Sequence, residues 1–154
     1  MQLNEFLKES LIISQFEADS KSQALQQLVE QLSVEFSSIN KESILNLIIE
    51  REGLITTGIG SGVAVPHCKS SEVNELTVVL ARSSKGIDFE ALDGEPCYLF
   101  FMLIAPENST STHLKALAKI ARIAKDEKIR AGLEACESSA EMLSFITEQE
   151  HHFS

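Results

Sequence analysis

Apolar residues recur at helical spacing through the first third of the chain. The apolar face that follows Ser20 comprises Ala24, Leu25, Leu28, Val29, Leu32 and Phe36. This spacing predicts an amphipathic helix, and Ser20 with Gln23 forms the capping-box pattern expected at its start. A second helix is predicted after Asn40, with Gly53 ending it. Residues 1–19 hold scattered apolar positions, which predict a short helix and a strand.

The middle of the chain has the pattern of strands. Four glycines fall within residues 53–62, interleaved with β-branched residues. Because each interior glycine costs a helix about 1 kcal/mol relative to alanine, short strands and tight turns are predicted here. A strand is predicted over residues 76–81, and the continuous apolar run 98–105 predicts a central, buried strand. Asp93 and Gly94 mark a turn between these two strands.

Three more helices are predicted after Pro106. The first places Leu114, Leu117, Ala118, Ala121 and Ala124 on one face. The other two are expected near residues 126–135 and 139–149, and Ser138 with Glu141 forms a capping box for the last one. Helices on both sides of a strand-rich middle predict an α/β (α+β) fold in which a mixed sheet is sandwiched between helices.

Length and charge narrow the functional classes. A chain of 154 residues has the size of one domain. We assign residues 1–150 to that domain and residues 151–154, which begin with two histidines, to a disordered tail. Lys and Arg number 13 against 23 Asp and Glu, so the formal net charge is −10. Such a surface repels phosphate backbones and anionic lipids, which disfavours nucleic-acid binding and suits a basic protein partner.

No segment of the sequence predicts membrane insertion or secretion. The longest purely apolar run, 98–105, is much shorter than the roughly 20 residues that a membrane-spanning helix needs. The N-terminal segment contains Glu5 and Glu9 and has no basic leader. The cysteines are Cys68, Cys97 and Cys136. Their odd number and wide spacing disfavour a disulfide framework, so the expected location is the reducing cytoplasm.

His67 is the strongest candidate for chemistry. It ends residues 58–67, GIGSGVAVPH, where glycines allow backbone N–H groups to face outward as an anion cradle. Pro66 restricts the backbone just before the imidazole, and a neutral imidazole is able to attack a phosphoryl group. The residues expected to bind that group are Thr57, Gly58, Gly60 and Gly62. On spacing alone, a histidine packed at the end of a strand is an equal alternative.

His113 and Arg51 are two further candidates. His113 lies in the first turn of a predicted helix, where the helix dipole attracts anions and lowers the pKa of a histidine. The alternative is a half-buried core histidine. Arg51 lies near the end of the second predicted helix, where its guanidinium would offer paired donors to a phosphoryl oxygen. The commoner role of an arginine in that position is to complement the helix dipole.

Other chemistries fit the sequence less well. The glycines of residues 58–62 do not form a dinucleotide-binding fingerprint, and the sequence has no Gly-Lys-Ser/Thr phosphate loop, which disfavours a nucleotide-dependent kinase. Cys68 follows His67 directly, and adjacent strand residues point to opposite faces, which disfavours a shared thiol or metal site. The chain is therefore expected to need no metal and no cofactor.

One resemblance is specific. The bacterial phosphotransferase-system enzyme IIA proteins of the fructose/mannitol class have an active-site segment that resembles residues 51–67, REGLITTGIGSGVAVPH. Residues 87–96, 101–106 and 112–114 look like the same family, so the resemblance covers nearly the whole chain. It implies a mixed five-stranded sheet flanked by helices. Cys68 departs from the family pattern, because many relatives have glycine at that position.

The resemblance implies a cytoplasmic phosphoryl carrier. His67 would receive the group from the phosphohistidine of a small HPr-type protein, with His113 as the second active-site histidine and Arg51 as the basic residue nearby. Residues 20–25, SKSQAL, are similar to the nitrogen-related regulatory branch, whose members report their phosphorylation state to regulatory or potassium-transport proteins. The alternative is a sugar-specific IIA protein that passes phosphate to a cysteine of a IIB domain.

Overall fold

A mixed β-sheet between two layers of helices forms the centre of the computed structural model, which describes residues 2–152. The helices are α1 (Lys21–Gln31), α2 (Lys41–Leu54), α3 (Thr110–Lys125), α4 (Glu127–Ala135) and α5 (Ser139–His151). The strands are β1 (Ile12–Ile13), β2 (Gly58–Gly60), β3 (Val63–Ala64), β4 (His67–Lys69), β5 (Thr77–Ile87) and β6 (Cys97–Ala105). Short 3-10 turns lie at Leu3–Glu5, Glu9–Leu11 and Leu32–Val34. Two of these turns and β1 stand in place of the short helix and strand predicted for residues 1–19.

Strand β6 organises the sheet. It runs antiparallel to β5 and parallel to both β3 and β4, while β1 is parallel to β5 and β2 is antiparallel to β3. Val63 pairs with Leu99 and His67 with Leu103, so β3 and β4 keep one register and form a single strand interrupted at residues 65–66. Counted in this way, the sheet has five strand positions, which confirms the expected mixed five-stranded architecture.

Each face of the sheet has its own helical layer and its own core. Helices α1 and α2 cover one face, and α3, α4 and α5 cover the other. Leu99, Phe101 and Leu103 of β6 join the α3–α5 core, while Phe100, Met102 and Ile104 join the α1–α2 core. Because successive side chains of β6 enter opposite cores, the strand needs apolar residues at every position, which is the pattern that predicts it.

The predicted starts of α1, α2 and α5 are confirmed. The capping bonds run to Ser20 Oγ from the Gln23 N–H (3.1 Å), to Asn40 Oδ1 from the Ser43 N–H (3.0 Å) and to Ser138 Oγ from the Glu141 N–H (3.1 Å). The second half of each capping box differs from the prediction. The Gln23 side chain accepts from the N–H of Asp19, and the Glu141 side chain accepts from the N–H of Glu137. Each of these donors lies one residue before the N-cap.

The buried face of α3 agrees with the predicted one only in part, since Ala124 is buried and Leu117 packs partly buried against the core. Its buried side chains are His113, Ala116, Ile120, Ile123 and Ala124. Leu114, expected on the apolar face, is 60% exposed. Alanines occur on both sides of this helix, so the apolar pattern is ambiguous, and packing on the sheet selects the side with the two isoleucines and His113.

Two element ends also differ from the predictions. Gly53 lies inside α2, which continues to Leu54. It does not adopt the positive φ of a glycine that terminates a helix. Strand β5 extends past the predicted end at residue 81 to Ile87, and its outer part still pairs with β6.

The C-terminal helix enters the segment predicted to be a disordered tail. His151 is the last residue of α5, and His152 forms its C-cap. Residues 153 and 154 lie outside the described residues. Within residues 2–152, none of the helices combines the length and apolar character that crossing a bilayer requires.

Candidate functional site

His67 is placed by the interrupted strand beside β6. It opens β4, and the carbonyl of Pro66 accepts from the Leu103 N–H at 2.9 Å, which fixes the backbone just before the imidazole. Pro66 has no N–H to satisfy, so it fits at this break in the strand. Side chains alternate along a strand, and His67 therefore faces the α3 side of the sheet, as Val65 does.

The His67 ring has a defined tautomer. Its Nδ1 lies 2.8 Å from the carbonyl oxygen of Val65. A carbonyl oxygen only accepts, so Nδ1 holds the proton and Nε2 keeps its lone pair. Burial lowers the pKa of His67, and this effect outweighs the opposing effect of the Val65 bond. The ring is therefore neutral near pH 7, with a nucleophilic nitrogen.

A second imidazole lies beside the first. The ring centroids of His67 and His113 are 5.4 Å apart, and the ring planes are inclined by 52°. His113 is 7% exposed, and its Nδ1 has no hydrogen-bond partner within the described part of the chain. Burial lowers the pKa of His113, and the charges of His67 and Lys69 add to the effect. His113 is thus a neutral ring with unused hydrogen-bonding capacity, which a buried polar group normally does not have.

Arg51 flanks the histidines from the last turn of α2. Its Nη1 donates to the carbonyl oxygen of Ile55 at 2.9 Å, and its positive charge contributes to the lowered pKa of His67. A cleft of about 360 Å³ lies at this edge of the sheet, with Leu47, Arg51, Leu54, His67, Lys69 and His113 among its lining residues. The structure thus brings together His67, His113 and Arg51, the three residues predicted to be catalytic.

Thr57 is close to the site but faces inward. The buried Glu52 carboxylate accepts from the Thr57 N–H at 3.0 Å and from the Thr57 hydroxyl. Lys21 Nζ completes the group with an ion pair to Glu52 at 2.9 Å. The Thr57 carbonyl in turn accepts from the Val65 N–H at 2.9 Å. Lys21, Glu52 and Thr57 therefore hold the backbone next to His67. Sequence analysis did not anticipate this group because Lys21 is far from the other two residues in the chain.

The glycine-rich segment does not form the predicted phosphate cradle around His67. Gly60 and Gly62 have positive φ values of 103° and 78° and make the tight turn between β2 and β3. His67 follows Gly62 by five positions of nearly extended chain, a span of roughly 16 Å. The structure therefore places these two glycines at the opposite end of the interrupted strand from the imidazole.

Gly58 has a packing role in the structure. A Cβ added to it would lie 2.8 Å from both Cα and Cβ of Ala91, and its N–H donates to Thr56 Oγ1 at 3.1 Å. The close approach of the Ala91 backbone requires glycine at this position. Gly58 was predicted to belong to a phosphate cradle, but its N–H is bonded to Thr56 and does not face outward.

Cys68 points to the opposite face from His67, as expected for adjacent strand residues. It packs in the α1–α2 core, although it also lines the cleft around the sheet edge. Burial raises the pKa of the Cys68 thiol to about 12, so the thiol stays protonated. Across residues 2–152, no group of three or more His, Cys, Asp or Glu side chains is arranged to hold a metal ion.

Two features of the cleft were missed in the sequence. Lys69 lies two residues after His67 on the same face, and its Nζ donates to Thr110 Oγ1 at 2.9 Å. The spacing of two in a strand is a usable signal for a shared face. The second feature is a set of exposed apolar side chains near the two histidines, called here the apolar rim. Leu54 (80% exposed) lines the cleft and Ile55 (56%) follows it in the chain, Ile59 (43%) lines a smaller cavity together with His67, and Leu114 (60%) follows His113 in the chain.

Comparisons with known proteins agree on one family. The family model for the phosphoenolpyruvate-dependent sugar phosphotransferase system, EIIA 2, matches residues 5–149. The nitrogen regulatory protein of Bradyrhizobium diazoefficiens is 36% identical over 146 residues, which cover 95% of each chain. The fructose-specific EIIABC component of Bacillus subtilis is 31% identical over 97% of this chain, but the match covers only 24% of that protein.

A solved structure shows the same relationship in three dimensions. The crystal structure of the nitrogen regulatory protein IIA-Ntr from Neisseria meningitidis superimposes with a TM-score of 0.86 at 32% sequence identity. The alignment covers 94% of this chain and 98% of the other. IIA mannitol from Escherichia coli, at 23% identity and a TM-score of 0.76, has the same fold.

Proposed function

The chain belongs to the EIIA 2 family of the phosphoenolpyruvate-dependent sugar phosphotransferase system, and we propose that it acts there as a phosphoryl carrier with the group held on His67. The main support is the geometry of the two rings. A neutral imidazole with a free Nε2 lies 5.4 Å, centroid to centroid, from a second neutral imidazole with an unpartnered buried nitrogen. In a purely structural pair, the Nε2 of His67 and the Nδ1 of His113 would be expected to have hydrogen-bond partners.

In the proposed step, His67 Nε2 attacks the phosphorus of a phosphohistidine on a small HPr-type carrier. The bond from phosphorus to Nε2 forms as the donor's phosphorus–nitrogen bond breaks, and the donor ring leaves as neutral imidazole. If the phosphohistidine of the donor has a proton on its second ring nitrogen, the ring is neutral when it leaves and takes up no further proton. The His67 proton stays on Nδ1, where the Val65 carbonyl stabilises the positive charge that the ring acquires.

The residues around His67 stabilise the charge that moves with the phosphoryl group. His113 is placed to donate a hydrogen bond to a phosphoryl oxygen, and Arg51 provides a fixed positive charge at the same cleft. Such groups are effective because they are already oriented before the reaction. Nothing in this step requires a metal ion or a cofactor.

The apolar rim of Leu54, Ile55, Ile59 and Leu114 supports transfer between proteins. Exposed apolar side chains grouped around a reactive centre are typical of a docking site. A protein donor seated on this rim would exclude water from the transferring group. We therefore assign the rim to the carrier that delivers the phosphoryl group, in the cytoplasm.

Within the family, we assign the chain to the nitrogen-regulatory branch. The Bradyrhizobium relative named nitrogen regulatory protein matches along 95% of its own length, and IIA-Ntr from Neisseria meningitidis superimposes with a TM-score of 0.86 at 32% sequence identity. In this branch, regulatory or potassium-transport proteins would bind the phosphorylated and unphosphorylated forms differently. The alternative is a sugar-specific role with transfer to a IIB cysteine, which the match to the fructose-specific EIIABC component favours.

Phosphorylation of the purified chain tests the carrier function. Incubation with an HPr-type carrier charged from phosphoenolpyruvate is expected to add one acid-labile phosphoryl group, located at His67 by mass spectrometry. His67→Ala should abolish the labelling, whereas the control His152→Ala, an exposed histidine at the end of α5, should retain it. A wild-type chain that stays unlabelled by a competent donor would contradict the proposal.

A chase distinguishes the two branches. The phosphorylated chain is mixed with a IIB domain of a fructose permease, and loss of label from His67 is followed over time. Retention of the label, together with capture of a partner by only one phosphorylation state, supports the regulatory role. Rapid transfer to the IIB cysteine supports the sugar-specific role.

A further inference from the structure

Lys69 is a cation that lines the cleft and has no role in the proposed step. His67 and Lys69 are the first and last residues of β4, so their side chains leave the same face of the strand. Both line the cleft of about 360 Å³ that also contains Arg51 and His113. Lys69 is also close enough to His113 for its charge to contribute to the lowered pKa of that ring.

A hydroxyl holds the Lys69 ammonium in place. Thr110, the first residue of α3, accepts from Nζ at 2.9 Å. Thr110 lies three residues before His113, and positions three apart share one side of a helix. The bond therefore brings the ammonium to the turn of α3 that carries the second histidine. Among the salt bridges of residues 2–152, none pairs Lys69 with a carboxylate.

Lys69 has N–H donors to offer an arriving phosphoryl group, although the Glu50 carboxylate lines the same cleft without forming a salt bridge to it. An ammonium has three N–H donors, and Thr110 takes one of them. The phosphoryl group of a phosphohistidine is an anion with three acceptor oxygens, and Lys69 offers it two N–H donors in addition to those of His113 and Arg51. Arg51 approaches the cleft from the end of α2, whereas Lys69 approaches from β4 and α3. An anion on His67 would thus share the cleft with the positive charges of Arg51 and Lys69 and with the carboxylate of Glu50.

We propose that Lys69, held by Thr110, is a phosphoryl-binding residue that stabilises the group on His67. The inference rests on the proposed carrier function. Before transfer, the Thr110 bond keeps the ammonium oriented toward the cleft. After transfer, the ammonium donates to a phosphoryl oxygen and favours the doubly ionised group. Lys69 therefore shifts the transfer equilibrium toward this chain.

Two measurements on Lys69→Gln test this role. The first is the equilibrium distribution of phosphate between the chain and an HPr-type carrier. We expect the equilibrium constant to fall about tenfold, the usual effect of losing a hydrogen bond to a charged group. The second is the ³¹P NMR titration of phosphorylated His67. A nearby cation favours the charged form, so its loss should raise the pKa of the phosphoryl group by about one unit.

Matched variants separate charge at the cleft from general effects. Lys69→Arg keeps the charge and should recover most of the equilibrium and of the titration midpoint. Lys85→Gln removes the same charge from a side chain that is 79% exposed on the outer part of β5, and it should change neither quantity. Thr110→Val removes the hydroxyl and should produce a smaller shift in the same direction as Lys69→Gln.

The outcomes are distinct. If Lys69→Gln is phosphorylated at His67 with unchanged equilibrium and unchanged titration, the role of Lys69 is refuted while the carrier function stands. If the transfer rate falls but the equilibrium and the phosphoryl pKa do not change, Lys69 acts in docking of the donor, and this also refutes phosphoryl binding. If the wild-type chain accepts no phosphate, both the carrier function and the role of Lys69 fail.

Discussion

The reactivity proposed for His67 depends on the bond between its Nδ1 and the carbonyl of Val65. The Val65 oxygen lies two residues away in the same strand and determines which nitrogen is free. Burial lowers the pKa of both His67 and His113 and so keeps the two rings uncharged. Two neutral imidazoles provide one nucleophile and one hydrogen-bond donor without repelling each other.

The pH dependence of phosphoryl acceptance should reflect these lowered pKa values. Protonation of His67 removes the nucleophilic lone pair, so the rate must fall as the pH drops through the pKa of the folded protein. Because that pKa is lowered, the half-maximal rate should lie below pH 6.5, the ordinary value for histidine. The rate of labelling by phosphoramidate between pH 4.5 and 8 measures it, alongside ring titrations by NMR. A midpoint at or above 6.5 would show that the ring is not buried as the structure places it.

His113→Leu should separate stability from function. The substitution removes a buried nitrogen without a partner, and leucine favours helix more than histidine does. We expect the free energy of unfolding to stay constant or rise by about 1 kcal/mol, while phosphoryl transfer to His67 becomes slower. Urea denaturation and the labelling assay measure the two effects. A clear loss of stability would indicate that the Nδ1 of His113 has a partner in solution.

The Lys21–Glu52 ion pair joins helices α1 and α2 next to the site. Lys21 is the first residue of α1, and Glu52 lies in the last turn of α2. Their side chains are only 16% and 5% exposed, and Glu52 also binds the backbone N–H of Thr57. The pair thus connects two helices to the segment that precedes β2. Removing one partner leaves a buried charge without compensation.

Lys21→Met should therefore destabilise the fold by about 3 kcal/mol, since breaking a buried pair costs more than the pair contributes. The matched control is Lys41→Met. Lys41 pairs with Glu30 at 2.7 Å, but those side chains are 39% and 66% exposed, so the expected loss is below about 1 kcal/mol. Urea denaturation of both variants measures the difference. Equal losses would mean that the Lys21–Glu52 pair is no more buried in solution than a surface pair.

The whole protein has a net negative charge, and several of its carboxylates lie beside the cleft. Glu42, Glu50 and Glu107 line a groove of about 570 Å³, and Leu47 and Glu50 line both this groove and the His67 cleft. The net charge of −10 adds a long-range field of the same sign. A basic carrier is attracted by this field, and a small anionic donor is repelled.

Ionic strength should therefore affect the two kinds of donor in opposite directions. Transfer from a basic phosphocarrier is expected to slow several-fold as salt rises from about 0.01 M to 0.5 M, because the attraction is screened. Labelling by acetyl phosphate, a small anion, should stay constant or become faster. Stopped-flow or quench-flow rates measure both series. A carrier rate that does not change with salt would show that charge does not guide docking.

The sequence by itself determined the starts of α1, α2 and α5, the doubly buried strand β6, and His67, His113 and Arg51 as candidates. These features are local: a cap needs residues a few positions apart, and a strand covered on both faces needs an apolar run. Only the tertiary structure decided which side of α3 is buried, that Gly60 and Gly62 lie far from His67, and that Lys69 and the Lys21–Glu52 pair adjoin the site. Those outcomes depend on contacts between segments distant in the chain, whose geometry is set by strand register and helix packing.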